Sequence, residues 1–148
     1  MKRDYPDRPI AAVGALVWRG DRILLIRRGN PPRRGEWSLP GGGQDLGETV
    51  FEAARREVRE ETGVDVKITK LVDVIDFMDR DANGGVRYHY TLIDVLAEYI
   101  SGEAKADEDA DEAAWFSLDE ALKMVSWAET RRVIARSDQL RRHTEQPT

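Results

Sequence analysis

Two apolar-rich segments, Ile10 to Trp18 and Ile23 to Arg28, flank Arg19-Gly20-Asp21, which predicts two strands joined by a tight turn. The proline pair in Asn30-Pro31-Pro32-Arg33-Arg34-Gly35 cannot continue a strand or a helix, so this stretch reads as a loop. Trp37 to Leu39 is a short strand running into Pro40-Gly41-Gly42-Gly43. The pattern then becomes helical from Val50 to Thr62, with Thr49 and Glu52 forming a capping box and Gly63 suited to the C-terminal cap. Val64, Val66 and Ile68 alternate with polar residues, as in a half-buried strand. Leu71 to Met78 and Val86 to Ile100 are further strands, with Asn83-Gly84 as a hairpin turn between them. Leu92 to Ala97 is apolar on both faces except at Asp94, which places it centrally in a sheet. After an acidic loop from Glu103 to Glu112 comes a short strand, Ala114 to Phe116. Ser117 with Glu120 and Ser126 with Glu129 are two more capping boxes, each opening a helix. A mixed sheet with one early helix and late helices is an α/β sandwich.

The 148 residues suit one domain over residues 10–142, with tails at 1–9 and 143–148. The longest apolar run is far too short to span a bilayer, and the first nine residues hold acids and prolines where a signal peptide needs an apolar stretch. The absence of cysteine removes disulfides, zinc–thiolate sites and cysteine nucleophiles, and suits a cytoplasmic protein. A net charge of −5 speaks against a general nucleic-acid binder. Any polyanionic ligand must then be held by local arginines or a metal rather than by the overall field.

At 100° per residue, Glu52, Arg55 and Arg59 share a solvent side of the predicted helix, and Phe51, Ala54 and Val58 form an apolar stripe. Glu57 and Glu61 lie beside that stripe, one turn apart, and Glu60 sits just beyond them. Three carboxylates thus converge on a side that should face protein, which is costly unless a cation neutralises them. Carboxylate oxygens are hard ligands, suited to Mg²⁺ or Mn²⁺. A charged helix face with pairs such as Glu52 and Arg56 is the plainer alternative.

The segment from Gly42 to Val64 resembles the Nudix box: Gly42, five residues, Glu48, seven residues, then Arg56-Glu57-Val58-Arg59-Glu60-Glu61-Thr62-Gly63-Val64. Every specified position matches, and Asp45 stands at an unspecified position where Glu is frequent. The resemblance implies an α/β/α sandwich and a Mg²⁺- or Mn²⁺-dependent pyrophosphohydrolase. It implies that Glu57, Glu60 and Glu61 hold the metal, with the Gly42 carbonyl as a further ligand. Arg56 would pair with Glu48 and orient a catalytic glutamate. Water would attack one phosphorus of a nucleoside diphosphate derivative. Phosphoryl transfer needs charge neutralisation and an oriented water more than covalent help, which this residue set can supply.

The general base is open between the box helix and the later acidic loop, where Glu108 and Asp109 are the first candidates for a base or extra ligand. Arg27 or Arg28 could pair with substrate phosphates, while Arg33 and Arg34 read as surface charges. Gly41 and Gly42 would let backbone approach the phosphates closely. Trp37, Phe77, Tyr88 and Tyr90 could stack on a base, although strand aromatics are more often core. His89 reads as structural. The region after the box resembles the ADP-ribose pyrophosphatase-like bacterial branch, which implies conversion of ADP-ribose to AMP and ribose 5-phosphate. Asp79, Arg80 and Asp81 stand where many ADP-ribose enzymes carry proline, which counts against their typical large subfamily. A nucleoside triphosphate pyrophosphohydrolase is the rival reading, and a non-catalytic nucleotide-binding module a weaker one. The expected partner is a small-molecule nucleotide, not a nucleic acid or membrane, and the family resemblance also admits a homodimer.

Overall fold

The computed structural model describes residues 2–106 and 110–145. Its elements are β1 (Ile10–Arg19), β2 (Arg22–Arg28), β3 (Trp37–Ser38), β4 (Gly41–Gly43), α1 (Val50–Thr62), β5 (Asp65–Arg80), β6 (Val86–Ser101), β7 (Ala110–Ser117), α2 (Leu118–Met124) and α3 (Ala128–Glu145). The sheet runs β3-β2-β1-β6-β5, with β4 also on β1 and β7 also on β2. It is mixed because β1 and β6 are parallel while the other pairs are antiparallel.

Alternation along β1 sets the layers. Leu16 and Trp18 join Ile23, Leu25, Ala121, Val133 and Ile134 in a core beneath α2 and α3. Ala15 and Val17 point the other way and pack with Leu24, Val64, Val66 and Val58 of α1. Helices therefore cover both faces of the sheet, as an α/β/α sandwich requires. The central placement of Leu92 to Ala97 holds, since β6 lies between β1 and β5. Among the described residues, no helix is long and apolar enough to cross a membrane.

Both residues of the Thr49/Glu52 box and of the Ser117/Glu120 box make reciprocal backbone bonds, and Gly63 closes α1 at φ 75°. Other expectations need correction. The two strands predicted around Val64 to Met78 are one strand, β5, whose register shifts between Ile68 and Lys70 and between Leu71 and Asp73 break the alternation. β7 begins at Ala110, so Asp111 and Glu112 leave the acidic loop and lie beside Arg27. Ser126 does not cap the last helix, which starts at Ala128. Its hydroxyl instead donates to Glu36, while Glu129 pairs with Arg132. Phe51 is exposed, because α1 buries Ala53, Ala54, Val58, Glu61 and Thr62 instead.

One departure from regular pairing positions the site. β1 pairs with β2 only near their shared turn, through Trp18 with Ile23 and Arg19 with Arg22. The other end of β1 pairs with β4, through Ala12 with Gly43 and Gly14 with Gly41. The far end of β2 pairs with β3 instead, through Ile26 with Ser38 and Arg27 with Trp37. The two strands diverge, and the gap between them is left unfilled.

Candidate active site

A cavity of about 350 Å³ occupies that gap. Its floor includes Gly14 and Leu39 with Asp94 of β6, and one wall carries Gly41, Gly42 and Gly43 with Glu57, Glu60 and Glu61 of α1. Trp37 and Arg28 line the opposite side, and Phe77, Tyr90 and Trp127 line its aromatic end. A second, wider cavity of about 680 Å³ shares Pro32, Arg33, Phe77 and Trp127 with the first but does not reach the α1 glutamates.

Arg56 organises the glutamate wall. Its Nε donates to Glu48 Oε2 at 2.9 Å, and its Nη2 donates to Glu48 Oε1 at 2.6 Å and to the Gly43 carbonyl at 2.9 Å. Its Nη1 donates to Glu57 at 2.8 Å and to Glu60 at 3.1 Å. These bonds, first of all the one to Glu48, push the guanidinium pKa up. The same contact holds the Glu48 carboxyl below its ordinary value. Glu57 moves the other way, because loss of water raises its pKa more than Arg56 lowers it. A half-buried carboxylate that remains costly to ionise beside an arginine would gain from further positive charge.

The glycines give backbone access to these carboxylates. The Gly41 amide donates to Glu61 Oε1 at 2.7 Å. A β-carbon on Gly42 would lie 2.5 Å from Glu57 Oε2, so glycine here leaves the Glu57 carboxylate its place against the strand. Carboxylates with neighbouring backbone carbonyls form an all-oxygen donor set, which fits a hard divalent cation. As placed, Glu57 and Glu60 both turn onto Arg56, and among the described residues no three acidic side chains converge as a cation site.

Of the arginines singled out in the sequence, Arg28 lines the cavity and donates from Nε to the Pro32 carbonyl at 2.8 Å. Arg27 does not line it and pairs with Glu112 at 3.1 Å. Glu108 and Asp109 lie outside the described residues. Tyr88 lines the wider cavity, whereas Trp37, Phe77 and Tyr90 line the one that holds the glutamates. Sequence reasoning passed over three cavity residues. Arg33, read as a surface charge, bonds Glu36 at 2.8 Å and lies 5.5 Å from the Trp127 ring centre. Trp127 itself stands edge-on to Phe77 at 5.4 Å. Asp94 was visible only as the one polar residue in an apolar run.

Residues 8–137 match the NUDIX domain family model. The chain is 41% identical over 117 residues to an ADP-ribose pyrophosphatase of Methanocaldococcus jannaschii, covering 79% of this chain and 67% of that one. It is 27% identical over 137 residues to an 8-oxo-(d)GTP phosphatase of Mycolicibacterium smegmatis, covering 86% of this chain and 41% of the relative. The crystal structure of a MutT NUDIX hydrolase from Burkholderia pseudomallei superposes with a TM-score of 0.73 at 34% identity, covering 88% of this chain and 98% of that one.

Proposed function

The chain belongs to the NUDIX family, and on that premise we propose that it is a divalent-cation-dependent pyrophosphohydrolase of a nucleoside diphosphate derivative, with ADP-ribose as the leading substrate. The observation that carries this reading is the wall on which Glu57, Glu60 and Glu61 face one cavity beside Gly41 and Gly42. The similarity to an archaeal ADP-ribose pyrophosphatase supports the choice of substrate.

Glu57, Glu60, Glu61 and the Gly42 carbonyl would hold Mg²⁺ or Mn²⁺, which supplies neutralising charge to the bridging phosphates when bound. Arg56, fixed by Glu48, holds the neighbouring carboxylates in register. Arg28, which lines the same cavity, would meet a phosphate oxygen. A wall carboxylate takes the proton from the attacking water. The new P–O bond forms as the anhydride P–O bond breaks, releasing AMP and ribose 5-phosphate. Trp37, Phe77, Tyr90 and Trp127 line the same cavity and offer ring faces and edges against which a base can lie.

The test is incubation with ADP-ribose, NADH, diadenosine polyphosphates, GTP, dGTP and 8-oxo-dGTP, with Mg²⁺ and with EDTA, and identification of products by chromatography. Metal-dependent AMP and ribose 5-phosphate support the reading. Nucleoside monophosphate and pyrophosphate from a triphosphate would replace it with the sanitising activity suggested by the mycobacterial relative.

A further inference from the structure

Asp94 is an acidic side chain on the cavity floor that is only 5% exposed. Among the described residues no side chain or amide donates a hydrogen bond to its carboxyl, whose oxygens keep contact with the cavity. A purely structural residue in this position would be apolar or paired, since burying an unpartnered carboxyl is costly.

The neighbourhood is arranged around this carboxyl. Asp94 pairs with Gly14 across the parallel β6–β1 ladder, and Gly14 pairs with Gly41 across the antiparallel β1–β4 ladder. Asp94 is therefore two strand spacings, roughly 10 Å between α-carbons, from the glycine whose amide holds Glu61. The one intervening position, Gly14, lacks a side chain, as does Gly41 itself. A β-carbon on Gly14 would stand 2.5 Å from Asp94 Oδ1. Gly14 leaves the space that the Asp94 carboxyl and the Leu39 side chain occupy, and Asp94 lines the same cavity as Glu57, Glu60 and Glu61.

We infer that Asp94 is a substrate-positioning residue that accepts hydrogen bonds from the hydroxyl pair of one of the two riboses flanking the diphosphate. A vicinal diol presents two O–H donors to the two oxygens of one carboxylate, a match that neutral groups cannot equal. Burial raises the Asp94 pKa to about 7, with the Asp73 carboxyl on β5 adding to the shift and Arg132 on α3 opposing it. Two hydroxyl donors would relieve that cost in the bound state. The inference rests on the nucleoside diphosphate reading above and adds the sugar as its determinant.

The experiment compares wild type, Asp94→Asn and Asp94→Ala on ADP-ribose and on two analogues, one lacking the adenosine 2′-hydroxyl and one lacking the 2-hydroxyl of the terminal ribose. Steady-state kinetics are read with Mg²⁺, and dissociation constants are read by calorimetry in EDTA, with circular dichroism melts to confirm folding. Asp94→Ala should weaken affinity for ADP-ribose about 10- to 100-fold and raise KM with little change in kcat. Asp94→Asn, which keeps the shape and one acceptor, should fall between. On one of the two analogues the gap between wild type and Asp94→Ala should close to within about 3-fold. A gap equally wide on all three ligands, no gap on ADP-ribose, or no binding of any of them overturns the inference. Hydroxyl-dependent binding without hydrolysis would reject ADP-ribose as substrate and leave the role of Asp94 standing.

Discussion

The Gly41 amide donates a 2.7 Å hydrogen bond to Glu61 Oε1, joining the glycine strand to the helix across a separation of 20 positions. Glu61 is 5% exposed and lines the cavity.

Glu61→Gln keeps an acceptor for Gly41 and the volume of the side chain while removing a negative charge. Its melting temperature should stay close to wild type. Turnover should fall by about 100-fold or more, since loss of even an outer partner of a metal site costs about 10- to 100-fold. Parallel melts and initial rates check this, and normal turnover would remove Glu61 from the proposed cation site.

Adjacent glycines should fail differently. A β-carbon on Gly41 would lie 2.0 Å from the Val13 carbonyl, which belongs to backbone and cannot swing aside. Gly41→Ala should therefore cost about 2–3 kcal/mol of stability through overpacking. At Gly42 the obstacle is the Glu57 carboxylate, the end of a flexible side chain. Gly42→Ala should melt within about 1 kcal/mol of wild type while displacing Glu57 and lowering turnover at least roughly 10-fold. Denaturant melts and kinetics on the two variants separate these outcomes.

Arg56 joins Glu48, Glu57, Glu60 and the Gly43 carbonyl, and only a planar guanidinium reaches so many acceptors in fixed directions. Arg56→Lys should retain the fold and lose about 10- to 100-fold in kcat/KM. Because Glu48 acts through Arg56, adding Glu48→Gln to Arg56→Lys should cost much less than Glu48→Gln costs alone. Full additivity in that double-mutant cycle would separate the two residues.

The helix and its three glutamates were legible because capping, helical period and motif spacing are local. The Thr49/Glu52 box and Gly63 fixed both ends of α1, and the spacing from Gly42 to Glu61 matched the family pattern. Ser126 misled for a tertiary reason: Glu36 from the proline loop takes its hydroxyl. The long β5 strand was divided by bulges that sequence period cannot distinguish from a turn. Arg27 and Arg28 are equivalent in sequence, yet the β2–β7 pairing sends one to Glu112 while the other reaches the cavity. Asp94 gained meaning only when its strand register placed it across Gly14 from Gly41.

The same register makes Asp94 a source of pH-dependent stability. Its pKa rises from 3.8 unfolded to about 7 folded, chiefly through burial. Between these values the native state binds a proton that the unfolded chain has released. Its contribution is therefore full at pH below about 4 and is lost as pH rises through about 7. About 3 pH units at about 1.4 kcal/mol each set a ceiling of roughly 4 kcal/mol on the loss. Asp65 has the opposite sign: Arg55 and then Arg59 hold its carboxyl at about 2, so its contribution is lost as pH falls below 3.8. Glu57 is raised like Asp94, so the wild-type profile alone mixes the two. Asp94→Asn cannot titrate and leaves Glu57 in place, so the difference between the two profiles isolates Asp94. Urea melts of both proteins from pH 4 to pH 8 should show the variant gaining on wild type as pH rises. Parallel profiles would mean that the Asp94 carboxyl is solvated or paired in solution, and its position as an unpartnered acceptor on the cavity floor would have to be abandoned.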